Sequence, residues 1–500
     1  MRLIMIFAPA FFEWPKAICQ AIQKTDPSVE IIALATTSRI REQVEVLHRQ
    51  NICKFVGIEC FEDEAGKWLS NGYNEAHLKR LEQELGNDLL NDILIADRHV
   101  GQGFITCADE VDSILKLKTV AHDQKRAYVA GCAQFVLDLC EKYNPDTAYF
   151  YAVADADRIA LISIMHAKGL KVMRLTHSRI DNRYLIDTCP FGFFKDIDAA
   201  NGQASDEALD WARKWVEEYR ANTDKEPDYM AYLRDNTKNN LHILGIARNI
   251  AKACARAALY RVLKGDKPLL TETSWQRIRE SFVIPYKAYT SQKVLNQTKI
   301  ADLIDKPFVY YTLHVDPESS TTHLSPDHTN QLAVIEALAK RKPLHMNLLV
   351  KEHPNMVGRR PAHFYHAIKQ MPGVYLIPTS IPSSVLIPKA ALIATITGTV
   401  AWEALLLKKP ALLIGKSPHS EQELLKQGLL QHGELSTLGP AIEAAMKIHP
   451  INDENIIKFL AVIYEQSFAF DGRLLWYSNK PEDIRNNQDV LNAMVQGILR

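Results

Sequence analysis

The 500-residue sequence predicts an α/β fold of two nucleotide-type lobes with a helical segment between them. Three observations predict it. Residues 1–195 hold two strand–helix–strand units, the building block of a parallel sheet. From 196 to 306 charged residues dominate and alternating apolar runs stop. From 307 the apolar runs return, and three of them end in polar clusters, where an open α/β sheet keeps its ligand.

The whole-chain figures agree. The chain is too long for one ordinary domain. It is 47% hydrophobic and 24% charged, a globular composition with enough apolar residues for large cores. Lys+Arg and Asp+Glu are equal at 59 each, so the chain as a whole has no nucleic-acid footprint. The eight cysteines are scattered, with no CxxC pair, which predicts buried thiols rather than a disulfide framework or a zinc site. No apolar run reaches the roughly 18–20 residues of a membrane span. The opening RLIMIFAPAFFEW mimics a signal peptide, but a second alternating strand at Glu30–Thr36 favours a buried first strand.

In order, residues 2–9 read as a strand, 15–24 as a helix with Pro15 in its first turn, and 29–37 as the next strand. Arg41–Gln50 predicts a helix, Lys54–Gly57 a short strand, and Asn74–Leu90 one polar amphipathic helix. Ile93–His99 contains the polar cluster Asp97-Arg98-His99, and 108–142 reads as one or two long helices. Thr147–Val153 is a strand ending in Asp155-Ala156-Asp157. Ile159–Lys168 is a helix stopped by Gly169, and Lys171–Leu175 is the next strand. In the middle segment, Ala208–Tyr219, Asn240–Val262 and Ser291–Ile304 read as helices, the last beyond a break at Pro285.

The second lobe opens with FVYYTLHV, which ends in Asp316-Pro317-Glu318. A helix over Gln331–Lys340 leads to the strand Met346–Val350 and its terminal Lys351-Glu352-His353-Pro354. The run Ala391–Ile396 ends in Thr397-Gly398-Thr399, which opens a helix over Val400–Lys408. Pro410 closes that helix before the strand ALLIG. Asn452–Glu465 and Asp483–Leu499 are the last helices, with a break at 468–472, and such a tail can cross back to the first lobe.

Thr397-Gly398-Thr399 has the make-up of an anion site. Glycine permits close approach, a helix start supplies N–H groups, and two hydroxyls add donors. Glu403 lies one turn on, placed to bridge ribose hydroxyls. The triplet also suits a plain turn capped by Thr. His353 is aimed out of its strand end by the following proline, where an imidazole can serve a leaving phosphate as acid or donor; a satisfied polar-loop histidine is the alternative. Asp316 and Glu318 suit a general base or charge stabiliser, or simply a turn. Asp155-Ala156-Asp157 resembles a metal-holding acidic triplet but has no third ligand and reads better as a loop before a helix. Gly101-Gln102-Gly103 lacks the third glycine of a dinucleotide fingerprint. The run Arg179–Tyr184 is an exposed basic cluster able to clamp an anionic acceptor, or a solvated charge run.

Taken in order, FVYYTLHVDPESST, LLVKEHPNMVGRRPAHFY, PGVYLIP and TITGTVAWEALLLKKPALLIG resemble the bacterial capsular polysaccharide biosynthesis proteins, relatives of the Kdo transferases of capsule assembly. The resemblance is strong over about 300–420 and weaker over 90–190, through ADR at 96–98 and RIDNRY at 179–184. It implies a GT-B architecture with two Rossmann-type lobes across a cleft. Residues 1–195 would form the acceptor lobe, 196–306 a helical insert, 307–465 the nucleotide-sugar lobe, and 466–500 a tail crossing back. It implies sugar transfer from a nucleotide sugar to a saccharide or lipid-linked saccharide, with no metal and no cofactor. His353 would then touch the donor phosphate. Lys351, Thr397, Gly398 and Thr399 would hold phosphate and Glu403 the ribose. Asp316 or Glu318 would be the acid near the reacting carbon, and Arg179 and Arg183 would meet the acceptor. The family's Gln-containing strand end is here Leu313-His314-Val315-Asp316, which leaves the donor sugar and the acid open. A nucleotide-sugar 2-epimerase-like isomerase and a non-catalytic assembly protein share the fold as competing readings. The expected location is the cytoplasm, with peripheral association at the inner membrane left open.

Overall fold

A computed structural model describes residues 1–70, 72–97, 100, 120–151, 153, 155–188, 204–222, 243–263, 274–415, 430–448, 451–475 and 480–500. Arg98, His99 and Gly101–Gly103 of the sequence reading, with Cys107 and Cys189, lie outside them.

The first lobe is built from β1 (Arg2–Phe7), β2 (Glu30–Ala35), β3 (Gly57–Cys60), β4 (Thr147–Phe150), β5 (Lys171–His177) and β6 (Arg183–Asp187). The order β3-β2-β1-β4-β5 is parallel, and β6 adds an antiparallel edge. Alternation along β1 puts Ile4 and Ile6 on one face and Leu3, Met5 and Phe7 on the other, and both faces are buried. Helices close both faces. Thr37 caps Ser38–Arg49, and Asn74 caps Glu75–Leu85, each accepting a backbone N–H.

Several boundaries differ from the sequence reading. The third strand is Gly57–Cys60, set by its pairing with β2 rather than by the apolar residues before it. The helix expected over Asn74–Leu90 is two, Glu75–Leu85 and Asn87–Ala96, parted at Gly86, whose φ of 88° no helix accommodates. The run 179–184 is not an exposed basic cluster. Its turn buries Ile180, and Arg183 and Tyr184 begin β6.

The second lobe holds β7 (Phe308–Thr312), β8 (Asn347–Lys351), β9 (Val374–Ile377), β10 (Leu392–Thr395), β11 (Ala411–Leu413) and β12 (Gln431–His432). All are parallel, in the order β9-β8-β7-β10-β11-β12. The order reverses between β7 and β10. Both strands run toward one edge, so a crevice opens beyond their carboxyl ends. Two such Rossmann-type lobes with helices between them make a GT-B-like fold.

The middle segment is not one unit. Its Asp206–Ala221 helix packs on the Asp453–Gln466 helix and shares the core of the second lobe with Phe308 and Tyr310. Trp211 stacks on Tyr464 at 4.0 Å, and Arg220 grips Asp453 with two bonds of 3.1 and 2.8 Å. Two long helices follow, Ile243–Leu263 and Ser274–Leu295. The expected break at Pro285 does not occur, and the helix runs through it. Ala288 and Leu295 of this helix are buried in the second lobe, and that packing outweighs the local cost of proline.

The tail returns to the first lobe. β13 (Phe468–Ala469) pairs antiparallel with β6. The helix read as Asp483–Leu499 is two, Pro481–Arg485 and Gln488–Leu499, and Leu491, Met494, Val495 and Ile498 enter the core around Trp14 and Ile18.

Candidate functional site

The strand ends at the crevice of the second lobe are locked from beneath by a buried ion triad. Arg360 has no exposed side-chain surface, nor have its partners Asp316 and Glu352, each 2.8 Å away. Its third contact is the His314 carbonyl. Glu352 also accepts from Tyr365 Oη (2.9 Å) and the His353 N–H (2.7 Å), and Asp316 accepts from Thr321 Oγ1 (3.1 Å) and Gln331 Nε2. A guanidinium fork suits this, because it can serve two carboxylates and a carbonyl at once. Burial raises the Glu352 carboxyl above its ordinary range, and Arg360 opposes that rise. The ends of β7 and β8 are thereby fixed relative to one another. Asp316 belongs to this base, out of reach of solvent, whereas Glu318 is half-buried and accepts from Ser320 Oγ (3.0 Å).

Above the triad sit two imidazoles. His314 Nε2 accepts the Thr397 N–H at 3.2 Å, with Thr395 Oγ1 at 3.4 Å. Burial pushes its pKa down to about 3, helped by His353 and Arg360. The ring is therefore neutral and carries its proton on Nδ1, a buried atom with no hydrogen-bond partner. His353 Nδ1 accepts the Asn355 N–H at 3.2 Å, which leaves Nε2–H as its donor. Its pKa is pushed down to about 4 by burial, then by Arg360 and Lys351. At neutral pH both rings are neutral donors, so the charged or acid role expected of His353 reduces to that of a neutral N–H. His314 was not singled out from the sequence. The available signal was an imidazole at the end of an otherwise apolar strand.

The loop after β10 wraps His314. Thr397 is buried, its hydroxyl donates to the Ser320 carbonyl at 3.0 Å, and its N–H is taken by His314. The Gly398 N–H donates to Thr395 Oγ1 at 3.0 Å. A side chain at 398 would stand 2.6 Å from that hydroxyl and 3.4 Å from His314 Nε2, so glycine is required by close approach. Thr397 and Gly398 therefore shape the loop, and Thr399 is half-buried at the helix start. Thr399 makes no side-chain cap bond.

Glu403 is half-buried beside Lys351, Arg179 and Asp181. Its pKa is raised to about 7, by burial first and by Asp181, against the two cations. Lys351 Nζ donates to Ser383 Oγ (3.2 Å), which also meets Tyr310 Oη at 3.0 Å. The site thus spans both lobes: Arg179 and Asp181 come from the β5–β6 turn of the first, Glu403 and Lys351 from the second. The φ of Arg179 is 68°, and its N–H donates to His177 Nδ1 at 2.9 Å, which holds that turn. Arg183 is placed elsewhere. It donates to Ser467 Oγ (2.8 Å) and the Tyr464 carbonyl (2.9 Å) and lies 4.2 Å from the Tyr464 ring centre, so it secures the returning tail.

The first lobe adds a buried acidic pair near the same cleft. The Asn87–Ala96 helix touches the segment that follows Glu318. Just beyond that helix, Asp97 accepts from the Val100 N–H (2.7 Å) and the Ala156 N–H (3.1 Å). Asp157 is pushed up to about 7 by burial and by Asp97. Asp155, the other half of the acidic triplet, pairs with Arg158. Among the described residues no three His, Cys, Asp or Glu side chains gather in a metal-holding group.

Residues 277–445 match the family described as capsule polysaccharide biosynthesis protein. Solved structures similar to this chain include UDP-GlcNAc 2-epimerase from Neisseria meningitidis bound to UDP-GlcNAc. It is 12% identical over 93% of this chain and 99% of that one, with a TM-score of 0.27. The KpsC β-Kdo 2,4 transferase of Thermosulfurimonas dismutans is 14% identical over 63% of this chain and 87% of that one, with a TM-score of 0.32. No match is found among curated proteins. The matched stretch is the lobe that carries the His314, His353 and Glu403 crevice, so the similarity to capsule polysaccharide biosynthesis proteins lies in that lobe.

Proposed function

We propose that this protein is a glycosyltransferase of capsule or surface-polysaccharide assembly that moves a sugar from a nucleotide sugar to a saccharide acceptor. The observation that carries the reading is the meeting of neutral N–H donors, a lysine and a carboxylate at the switch-point crevice of a parallel sheet, with an arginine from the opposite lobe beside them. That constellation suits a donor with phosphate at the strand ends and ribose at Glu403. Lys351 and Arg179 offset phosphate charge. His353 Nε2–H and His314 Nδ1–H donate to the departing oxygen or to the sugar, and the hydroxyl and N–H of Thr399 complete the cradle. Glu318, half-buried and outside the ion triad, would be the carboxylate that acts at the reacting carbon. Closure of the lobes would exclude water and favour transfer over hydrolysis. No step is assigned to a metal or a cofactor.

The test is a thermal-shift screen of the purified chain against CMP, UDP and their sugar conjugates. A saturable rise for one base names the donor class, because a ligand bound only to the native state stabilises it by mass action. Absence of any shift across the set would replace this reading with a non-catalytic assembly protein. Formation of an epimer from UDP-GlcNAc without acceptor would replace it with an isomerase. Activity should survive EDTA, and loss restored by Mg²⁺ would bring back a metal role for Asp155 and Asp157.

A further inference from the structure

The two long helices of the middle segment carry a feature that the crevice does not use. Ile243–Leu263 and Ser274–Leu295 together hold eight Lys or Arg and one acid, Glu280, in a chain whose net charge is zero. On the second helix, Ala288, Ser291 and Leu295 face the second lobe and are buried. Offset from them by half a turn lie Phe282, Tyr286 and Tyr289, which are 58%, 71% and 59% exposed. Their spacing continues to Arg279 on one side and Lys293 on the other, both exposed, so five residues form one stripe along the helix. Lys293 Nζ lies 4.3 Å from the Tyr289 ring centre. On the first helix Leu244 is 74% exposed, and Arg248 and Lys252 are exposed one and two turns along.

Exposed aromatics in a row need a reason, since large side chains left in water lose the gain of burial. Aromatic rings with a polar tip, flanked by cations, are the side chains that settle at the boundary between headgroup and acyl chain. No described helix is long and apolar enough to cross a membrane, so a helix with this face would lie on the surface. At 1.5 Å per residue the second helix offers about 33 Å of length for that contact.

We propose that these two helices are a docking surface for an anionic lipid membrane, with Phe282, Tyr286 and Tyr289 entering the interface and the exposed Lys252 and Lys293 meeting lipid phosphates. The surface is mechanically joined to the crevice. Gly358, in the loop between His353 and Arg360, has a φ of 85°, and a side chain there would stand 2.7 Å from the Ile284 carbonyl and the Ala288 N–H. The buried face of the docking helix thus rests on the loop that carries His353. Membrane docking would hold the crevice near the surface where a lipid-linked saccharide resides, although the docking itself does not depend on the transfer reading.

The experiment is vesicle flotation of the full chain, which needs no activity. Vesicles of phosphatidylcholine alone are compared with vesicles containing phosphatidylglycerol, at low and high salt. The wild type should float with the anionic vesicles only, and high salt should weaken it. The triple variant F282S/Y286S/Y289S and the double variant K252E/K293E should each lose at least about tenfold in partitioning. All of these residues are exposed, so the melting temperatures should match wild type, confirming that the variants fold. Wild type that stays unbound, floats equally on neutral vesicles, or floats undiminished in both variants would overturn the proposal. So would a dimer in solution broken by the triple variant without vesicle binding, or a preference for single-stranded oligonucleotide over vesicles.

Discussion

Replacing Arg360 with alanine tests the base on which the site is built. Arg360 holds two carboxylates at 2.8 Å, and none of the three side chains is exposed. Its loss would leave Asp316 and Glu352 buried without a counter-ion, a change that costs about 3–5 kcal/mol. Each carboxylate keeps two donors: Tyr365 and the His353 N–H for Glu352, Thr321 and Gln331 for Asp316. The loss should therefore fall near about 3 kcal/mol, a large part of the stability of a typical domain. Arg360→Lys keeps the charge but cannot fork between both partners, so it should recover only part of the loss. The deficit should also depend on pH. Burial already holds the Glu352 carboxyl above its ordinary value, and without Arg360 it rises further. Between the ordinary value and the raised one, the native variant binds a proton that its unfolded chain does not. Its stability then increases as pH falls through that window, and the gap to wild type narrows. The assay is urea unfolding followed by tryptophan emission, near neutrality and in mildly acidic buffer. A loss below about 1 kcal/mol, the size of an exposed ion pair, would refute the reasoning. So would a deficit that widens on acidification.

Two further predictions concern the crevice. His353→Ala removes a half-buried ring that accepts the Asn355 N–H, so stability should change by no more than about 1 kcal/mol. Turnover should nevertheless fall about 100-fold or more if Nε2–H serves the leaving group, and unchanged kcat would reject that role. Glu403 is raised to about 7, so it is largely neutral below that pH and charged above it. Nucleotide affinity, read by titration calorimetry, should rise as pH increases through about 7 and lose this dependence in Glu403→Gln. The same pH profile in both proteins would remove Glu403 from ribose binding.

Much of the second lobe was legible in the sequence because its signals are local. β7, β8 and β10 are apolar runs that end in polar residues, and a parallel sheet buried on both faces demands such runs. The positions of Lys351, His353, Thr399 and Glu403 followed from those strand ends. What each group does there was not legible. The sequence offered Asp316 and Glu318 as equals, but Arg360, 44 residues away, draws Asp316 into a buried triad and leaves Glu318 half-buried outside it. Likewise Arg179 and Arg183 are four residues apart, yet one faces Glu403 and the other holds the tail at Tyr464 and Ser467.

Pro285 shows the same division from the other direction. Local chemistry predicts a break, and burial of Ala288 and Leu295 against the second lobe overrides it. By itself the sequence determined the alternation of strands and helices, since hydrophobic period and chain breaks act over a few residues. Only the tertiary structure decided which imidazoles are buried, which carboxylate is locked in an ion triad and which arginine lies beside Glu403. Those properties depend on burial and on partners distant in the chain, and the free energy of a charge depends on what surrounds it rather than on its neighbours in sequence.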